Sequence, residues 1–228
     1  MRANGVVVYR GPSRLDGAPI VAIVTGLARA SSNPKTGPMA QLWILRADIA
    51  PHDAVRSGDD SSVCGDCSLR GAACYVQTYQ APLAVFRAYQ AGNYPDGAPQ
   101  DVSGRMLRLG AYGDPAALPL PLVRRLVKAA AGHTGYSHQW RTAPRGWRDV
   151  VMASVETEAD AQRAWRAGWR TFRLAAEPDK ARERECPSSR GVTCAQCRMC
   201  DGGTRGSSIT IAPHGAGAKL AYQIIARG

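Results

Sequence analysis

Residues 106–131 read MLRLGAYGDPAALPLPLVRRLVKAAA, and this stretch decides the fold. Met106 to Leu109 is a short apolar strand. Gly110-Ala111-Tyr112-Gly113-Asp114-Pro115 is a glycine-rich turn with a proline to stop the strand. From Pro121 to Ala131 the apolar residues fall at helical spacing, with Leu122, Leu126 and Ala129 on one face. A strand, a tight turn and an amphipathic helix in that order form half of a parallel crossover unit.

The same alternation continues on both sides. Val6 to Tyr9, Pro19 to Val24 and Gln41 to Leu45 are apolar, β-branched runs. Pro82 to Ala91 has helical spacing and stops at Gly92. Gly135 to Trp140 and Asp149 to Val155 read as strands, Glu158 to Ala167 as a helix closed by Gly168, and Thr171 to Ala175 as a strand. Ser208 to Ala212 is the last strand and Ala218 to Ala226 a terminal helix. The expected class is α/β: a partial (β/α) barrel with mainly parallel strands and cysteine-rich metal-binding loops, too short for a complete eight-fold barrel. The segments are a strand-rich 1–40, a β/α core at 41–180 carrying the first cysteine loop, and a cysteine-rich 181–228 with the last strand and helix. Ligands of such sheets sit at the carboxyl ends of the strands. The first cysteine loop and the Gly-Asp-Pro turn both follow strands, so both are expected on one face.

Seven cysteines fall into two groups. Cys64, Cys67 and Cys74 are spaced C-x2-C-x6-C. Cys186, Cys194, Cys197 and Cys200 are spaced C-x7-C-x2-C-x2-C. An odd count leaves one cysteine unpaired in any disulfide scheme. Two-residue gaps bring sulfurs to one side of the chain cheaply, and three cysteines at successive two-residue gaps wrap it around one compact object, as in ferredoxin loops. The second group reads as a complete four-thiolate site, for a 4Fe–4S cluster ahead of zinc. The first has three thiolates. Either it holds a cluster with one iron left open, or zinc completed by His52, His138 or Asp66.

The net charge of +11, from 29 Lys and Arg against 18 Asp and Glu, is compatible with nucleic acid or a nucleotide as partner and equally with a plain solvated surface. No run of about 18 apolar residues is present, and the opening residues lack a secretory apolar stretch. The cytoplasm is the expected compartment, with no membrane partner. No Gly-x-Ser-x-Gly elbow, His-Glu-x-x-His, dinucleotide fingerprint or phosphate-binding Walker loop occurs, so hydrolase and nicotinamide-enzyme classes have no support. Lys35 in Asn33-Pro34-Lys35-Thr36-Gly37 has the wrong glycine spacing for a phosphate loop.

With Cys64, Cys67 and Cys74 after a strand and Tyr112-Gly113-Asp114-Pro115 after the next, the chain resembles the radical S-adenosylmethionine (SAM) superfamily. That resemblance implies a partial barrel and a 4Fe–4S cluster on the first three cysteines, with SAM on the open iron. It implies a SAM-contacting turn at Gly110, Tyr112, Gly113 and Asp114, and polar ribose contacts at Ser154 and Glu156. Cys186 to Cys200 would hold a second, auxiliary cluster. The spacing differs from the superfamily's usual C-x3-C-x2-C, and the turn differs from its Gly-Gly-Glu-Pro. Through Asn33–Gly37, the Cys64–Tyr75 loop, Gly110–Pro115, Thr134–Trp140 and Cys186–Cys200, most of the chain is also similar to a family of bacteriophage gene products. That family contributes phage origin, and hence a host cytoplasm, but no reaction.

Among single residues, Asp114 could accept hydrogen bonds from a ligand amine or cap its own turn. His138 is a candidate acid–base group or part of a plain strand with Tyr136 and Trp140. Glu156 is a candidate base, a ribose contact or a salt-bridged barrel residue. His214 follows the last strand. Trp165, Trp169 and Phe172 read as core. The leading expectation is therefore an iron–sulfur enzyme of radical-SAM type acting on nucleic acid or a nucleotide, with Asp114, Glu156 and His138 as catalytic candidates. The rival is a non-catalytic module, stapled by zinc or iron–sulfur, that binds nucleic acid.

Overall fold

A computed structural model describes residues 3–203, 205–215 and 217–227. The chain runs β1 (Gly5–Pro12), β2 (Pro19–Thr25), β3 (Ala40–Arg46), α1 (Pro51–Ser57), α2 (Ser61–Cys64), α3 (Ala81–Gln90), β4 (Met106–Tyr112) and α4 (Leu120–Ala129). It continues through β5 (Gly132–Thr134), β6 (Tyr136–Ser137), β7 (Met152–Val155), α5 (Glu158–Arg166), β8 (Thr171–Leu174), β9 (Glu183–Glu185), α6 (Cys194–Cys197), β10 (Ser208–Ile211) and α7 (Ala218–Arg227).

Two five-stranded sheets result, in the orders β1-β2-β3-β4-β5 and β6-β7-β8-β10-β9. The first is mixed: β1, β2 and β3 pair antiparallel, while β3, β4 and β5 are parallel. The second is parallel throughout. The architecture is α/β, with parallel pairs predominating and no closed barrel shown. β5 and β6 are separated only by Gly135, so the chain leaves one sheet and enters the other within a single extended run. The strand-rich N-terminal residues share their sheet with β3, and the C-terminal strands β9 and β10 share theirs with β8.

β2 and β3 are buried along almost their whole length, as continuous apolar runs covered on both faces must be. In α4 the buried stripe is Leu122, Val123 and Leu126. Ala129, expected on that face, is only half-buried.

Two expectations need correction. The stretch from Gly135 to Trp140 is a strand only at Tyr136–Ser137. The Ser137 hydroxyl accepts the Gln139 amide at 3.1 Å and starts a 3-10 turn over His138–Arg141. Arg145–Asp149 is another 3-10 turn, which delays β7 to Met152. Trp165, Trp169 and Phe172 pack as core, as expected: Trp169 belongs to the main core, Trp165 packs half-buried against it, and Phe172 packs against a smaller second cluster. No helix among the described residues is long and apolar enough to cross a membrane.

The second sheet is pinned by one buried ion pair. Arg173 on β8 reaches across β10 to Glu183 on β9, with Nε to Oε1 at 2.8 Å and the Glu183 side chain fully buried. Burial alone would raise the Glu183 carboxyl, but hydrogen bonds from Arg173 and the Asp179 amide hold it below its ordinary value. Its contribution is therefore complete above about pH 4.5 and lost as pH falls through the lower folded value. Glu183→Gln is expected to cost about 3 kcal/mol at pH 7. Thermal unfolding followed down the acid limb should show the difference from the parent shrinking below that pH.

Candidate metal centres

The first cysteine group is assembled by α2, by the turns after it and by the end of β4. Cys64 closes α2, Cys67 follows a glycine turn, and Cys74 follows a 3-10 turn at Gly71–Ala73. Arg70 ties this loop down. Its Nε donates to Asp60 Oδ2 at 3.1 Å and its Nη2 to Asp60 Oδ1 at 2.6 Å, while other donors reach the carbonyls of Gly58 and Gly65. Asp60 is buried, and the bidentate Arg70 fork pairs its carboxylate. Gln139 latches the turn from outside, donating to Cys64 O at 3.2 Å.

The Gly-Asp-Pro turn meets that loop directly. The Asp114 amide donates to Val63 O at 2.6 Å. Both Asp114 oxygens are used: Oδ1 accepts the Ala116 amide at 2.9 Å and Oδ2 the His138 amide at 2.8 Å. Asp114 thus joins the end of β4 to the start of the His138 turn. Gly113 adopts φ +82°, and a Cβ there would lie 2.7 Å from Ile44 O, so only glycine lets this turn close on β3. Gly110, at φ +68°, is packed against Gly113 O in the same turn.

Cys64, Cys67 and Cys74 line one cavity of ≈ 230 Å³ together with Asp60, Arg70 and Tyr112. The Tyr112 hydroxyl is buried with no hydrogen-bond partner among the described residues. A lone buried hydroxyl on a cavity wall is a donor without an acceptor. The thiols of Cys64 and Cys74 are pushed up by burial first and by neighbouring thiols and carboxylates second. They are poorly disposed to ionise without a cation among them.

His138 Nε2 lies 2.9 Å from Glu156 Oε1 and 3.6 Å from Cys67 Sγ. Ser68 Oγ donates to Glu156 Oε2 at 2.9 Å. Burial opposes charge on His138, yet Cys67 and Glu156 outweigh it and raise the imidazole well above its ordinary value. Burial also pushes Glu156 up, and His138 with Ser68 brings it below the usual carboxylate range. One ring nitrogen faces both the sulfur and the carboxylate. A nucleophile–base–carboxylate triad needs the two nitrogens to face different partners, so this is not a cysteine-hydrolase arrangement. Ser154 on β7 is buried two residues before Glu156, with no side-chain hydrogen bond among the described residues.

The second group sits on the other sheet. Cys200, Cys186, Met199, Met152 and Ile209 pack as a small separate core with Tyr136 and Phe172. Burial, then Cys186, Cys194 and Cys197 in that order, raise the Cys200 thiol, so the four sulfurs are within mutual electrostatic reach. Two clamps build this site. Lys35 O and Thr36 O accept the amides of Cys194 and Ala195 at 2.9 and 3.1 Å. The Asn33–Gly37 turn, closed on itself through Asn33, is thus a cradle for α6. Arg170, buried, donates to Ser207 O, Gly202 O and Met199 O and pairs with Asp201 at 2.9 Å.

A polar bridge joins the two groups. Tyr75, next to Cys74, accepts a hydrogen bond from Arg108 on β4. Arg108 also faces Tyr136 and Cys194. Tyr136 stacks on Phe172 with ring centroids 4.0 Å apart. His214 rests against Tyr75, ring centroids 5.7 Å apart, where the chain end reaches the first loop.

All seven cysteines are free thiols. Among the described residues no group of three or more His, Cys, Asp or Glu converges as a single metal ion requires. Thiolates on one zinc ion share a common point about 2.3 Å away. Thiolates on a cluster bind separate irons and share none. Of the alternative zinc ligands, His138 is beside Cys67, His52 pairs with Asp53 at 3.4 Å, and Asp66 is exposed. Arg70, Asp60, Gln139, Arg108 and Arg170 carried no sequence signal for these roles, since each acts through partners distant along the chain or through backbone carbonyls. No family model, no curated protein and no solved structure matches this chain.

Proposed function

We propose that the chain is an iron–sulfur enzyme of radical-SAM type, built on a partial β/α barrel in the host cytoplasm of a phage, with nucleic acid or a nucleotide as substrate. The observation that carries the reading is one cavity lined by three thiols and by Tyr112, whose buried hydroxyl has no partner among the described residues. These residues fit a 4Fe–4S cluster held by Cys64, Cys67 and Cys74. When bound, such a cluster supplies one electron for the reductive cleavage of SAM.

The protein's own residues do the rest. Tyr112 offers its free hydroxyl to whatever shares the cavity. Asp114 and Gly113 hold the end of β4 against the cysteine loop, with both carboxylate oxygens committed to backbone amides. His138 keeps a proton at Nε2 between Cys67 and Glu156, where it offsets the negative charge of a thiolate ligand. Ser154, polar and uncommitted, is the ribose-contact candidate on β7. Cys186, Cys194, Cys197 and Cys200 hold a second cluster.

Reconstitution with iron and sulfide without oxygen, followed by a reductant and SAM, tests this. The expected result is a brown protein that releases 5′-deoxyadenosine, abolished by Cys67→Ala. Iron loading with no 5′-deoxyadenosine removes the SAM chemistry. Stoichiometric zinc with no iron leaves the chain a metal-stapled binding module.

A further inference from the structure

A second concavity lies away from the first cysteine cavity, behind the loop that carries Cys200. It is a groove of ≈ 450 Å³ lined by Trp165, Trp169, Arg170, Arg182, Ser207 and neighbouring small residues. Trp165 is half-buried, its Nε1 fixed by Thr171 and Ser208 at 3.1 and 3.0 Å, so its ring is held still. The Arg182 guanidinium lies over that ring, 5.0 Å from the centroid. Arg184 Nε donates to Ser207 Oγ at 3.2 Å on the groove wall. Arg148 reaches the Gly168 rim, donating to Ala167 O at 3.2 Å.

Arg148, Arg182 and Arg184 make no ion pair among the described residues. Of the nearby carboxylates, Asp201 is paired with Arg170 and Glu183 with Arg173, while Asp179 accepts the Ala181 amide and Glu185 is exposed beside Arg184. The groove therefore presents the Arg182 guanidinium, without an ion pair among the described residues, over an immobilised indole, with Arg148 and Arg184 at its edge, on a chain of net charge +11. Uncompensated arginines take phosphate oxygens bidentately, and a fixed aromatic face with an arginine over it takes an unpaired base. Duplex nucleic acid hides its base faces and would use only the charge.

We propose that the Trp165–Arg182 groove is a binding surface for single-stranded nucleic acid. This deepens the nucleic-acid part of the function above and rests on that reading only for the substrate class. Because Arg170 forms both the groove floor and the clamp on Met199–Ser207, a strand in the groove lies against the segment that holds Cys200.

The test is a titration of a labelled oligothymidylate with the full chain at several salt concentrations, by fluorescence anisotropy. Three phosphate contacts predict a log–log salt slope of about −2. The pair Arg182→Glu with Arg184→Glu, both exposed, is expected to weaken binding by at least about tenfold and flatten the slope by about 1.4. The pair Arg125→Glu with Lys128→Glu, exposed on α4, makes the same charge change elsewhere and should weaken it less than about twofold. Equal loss in both pairs, or a duplex bound as tightly as the single strand, overturns the proposal. Iron content is measured in parallel. A chain that loads iron but ignores the oligonucleotide overturns this inference alone. One that binds the oligonucleotide without iron sustains it and removes the cluster.

Discussion

Replacing Arg170 with methionine is expected to lower stability by about 4 kcal/mol and to loosen the segment carrying Cys200. The side chain is almost fully buried and donates to three backbone carbonyls and one carboxylate between residues 199 and 207. Methionine fills much of the volume but donates nothing. The carbonyls of Met199, Gly202 and Ser207 lose a charged donor, at about 1 to 3 kcal/mol for each that stays buried and unpaired. At about 2–4 °C per kcal/mol for a chain of this size, the midpoint of thermal unfolding should fall by roughly 10 °C. A local readout separates loosening of the loop from general weakening. Cys200 is only 7% exposed, so its alkylation should accelerate in the variant well below the unfolding temperature, while Cys64 keeps its parental rate. Arg170→Lys keeps the charge without the planar fork and should fall between the two. An unchanged midpoint and unchanged Cys200 reactivity would show that the loop is held by something else.

Gly113→Ala is the second large effect, about 3 kcal/mol. The conformational part, an L-residue at φ +82°, costs about 1 kcal/mol. The remainder is collision: the new methyl falls 2.7 Å from Ile44 O and 2.8 Å from Ile44 Cβ, neither of which can swing aside. Gly58→Ala is the matched control, since Gly58 has φ +86° and nothing within 4 Å of its added Cβ. Its cost should be the conformational part alone. Paired unfolding curves should therefore separate by about 2 kcal/mol. If Gly113 costs no more than Gly58, the turn yields and the contact between β4 and the cysteine loop is looser than its 2.6 Å hydrogen bond to Val63 implies.

The parallel part of the fold is written in local pattern. The stretch 106–131 contains a strand, a glycine turn and an amphipathic helix, and the structure has β4, the turn and α4 there. The antiparallel start is not legible, because apolar runs covered on both faces look alike whichever direction they pair. β9, with the sequence Glu-Arg-Glu, has no strand signal; the Arg173–Glu183 ion pair and pairing with β10 hold it. The glycine turn and the first cysteine loop do meet, as their places after strands suggest, whereas His138 reaches Asp114 and Glu156 from a 3-10 turn in a stretch that reads as strand. Arg70, Gln139 and Arg170 escape sequence reading because a side chain that bonds to backbone carbonyls can be served by any fold that brings those carbonyls near. Lys35 shows the same limit from the other side. Its motif has the wrong glycine spacing for a phosphate loop, and its contribution is a carbonyl offered to the Cys194 amide.

That cradle has a bearing on how the protein is made. Lys35 and Thr36 wait for Cys194 and Ala195, which leave the ribosome more than a hundred residues later, so the contact between this turn and α6 cannot form during early synthesis. Ordering so wide a loop carries an entropic cost that only the completed sheet offsets. The contact between this turn and α6 accordingly forms only after residue 195 has been made, and a chain truncated before residue 194 keeps Cys64, Cys67 and Cys74 but lacks Cys194, Cys197 and Cys200.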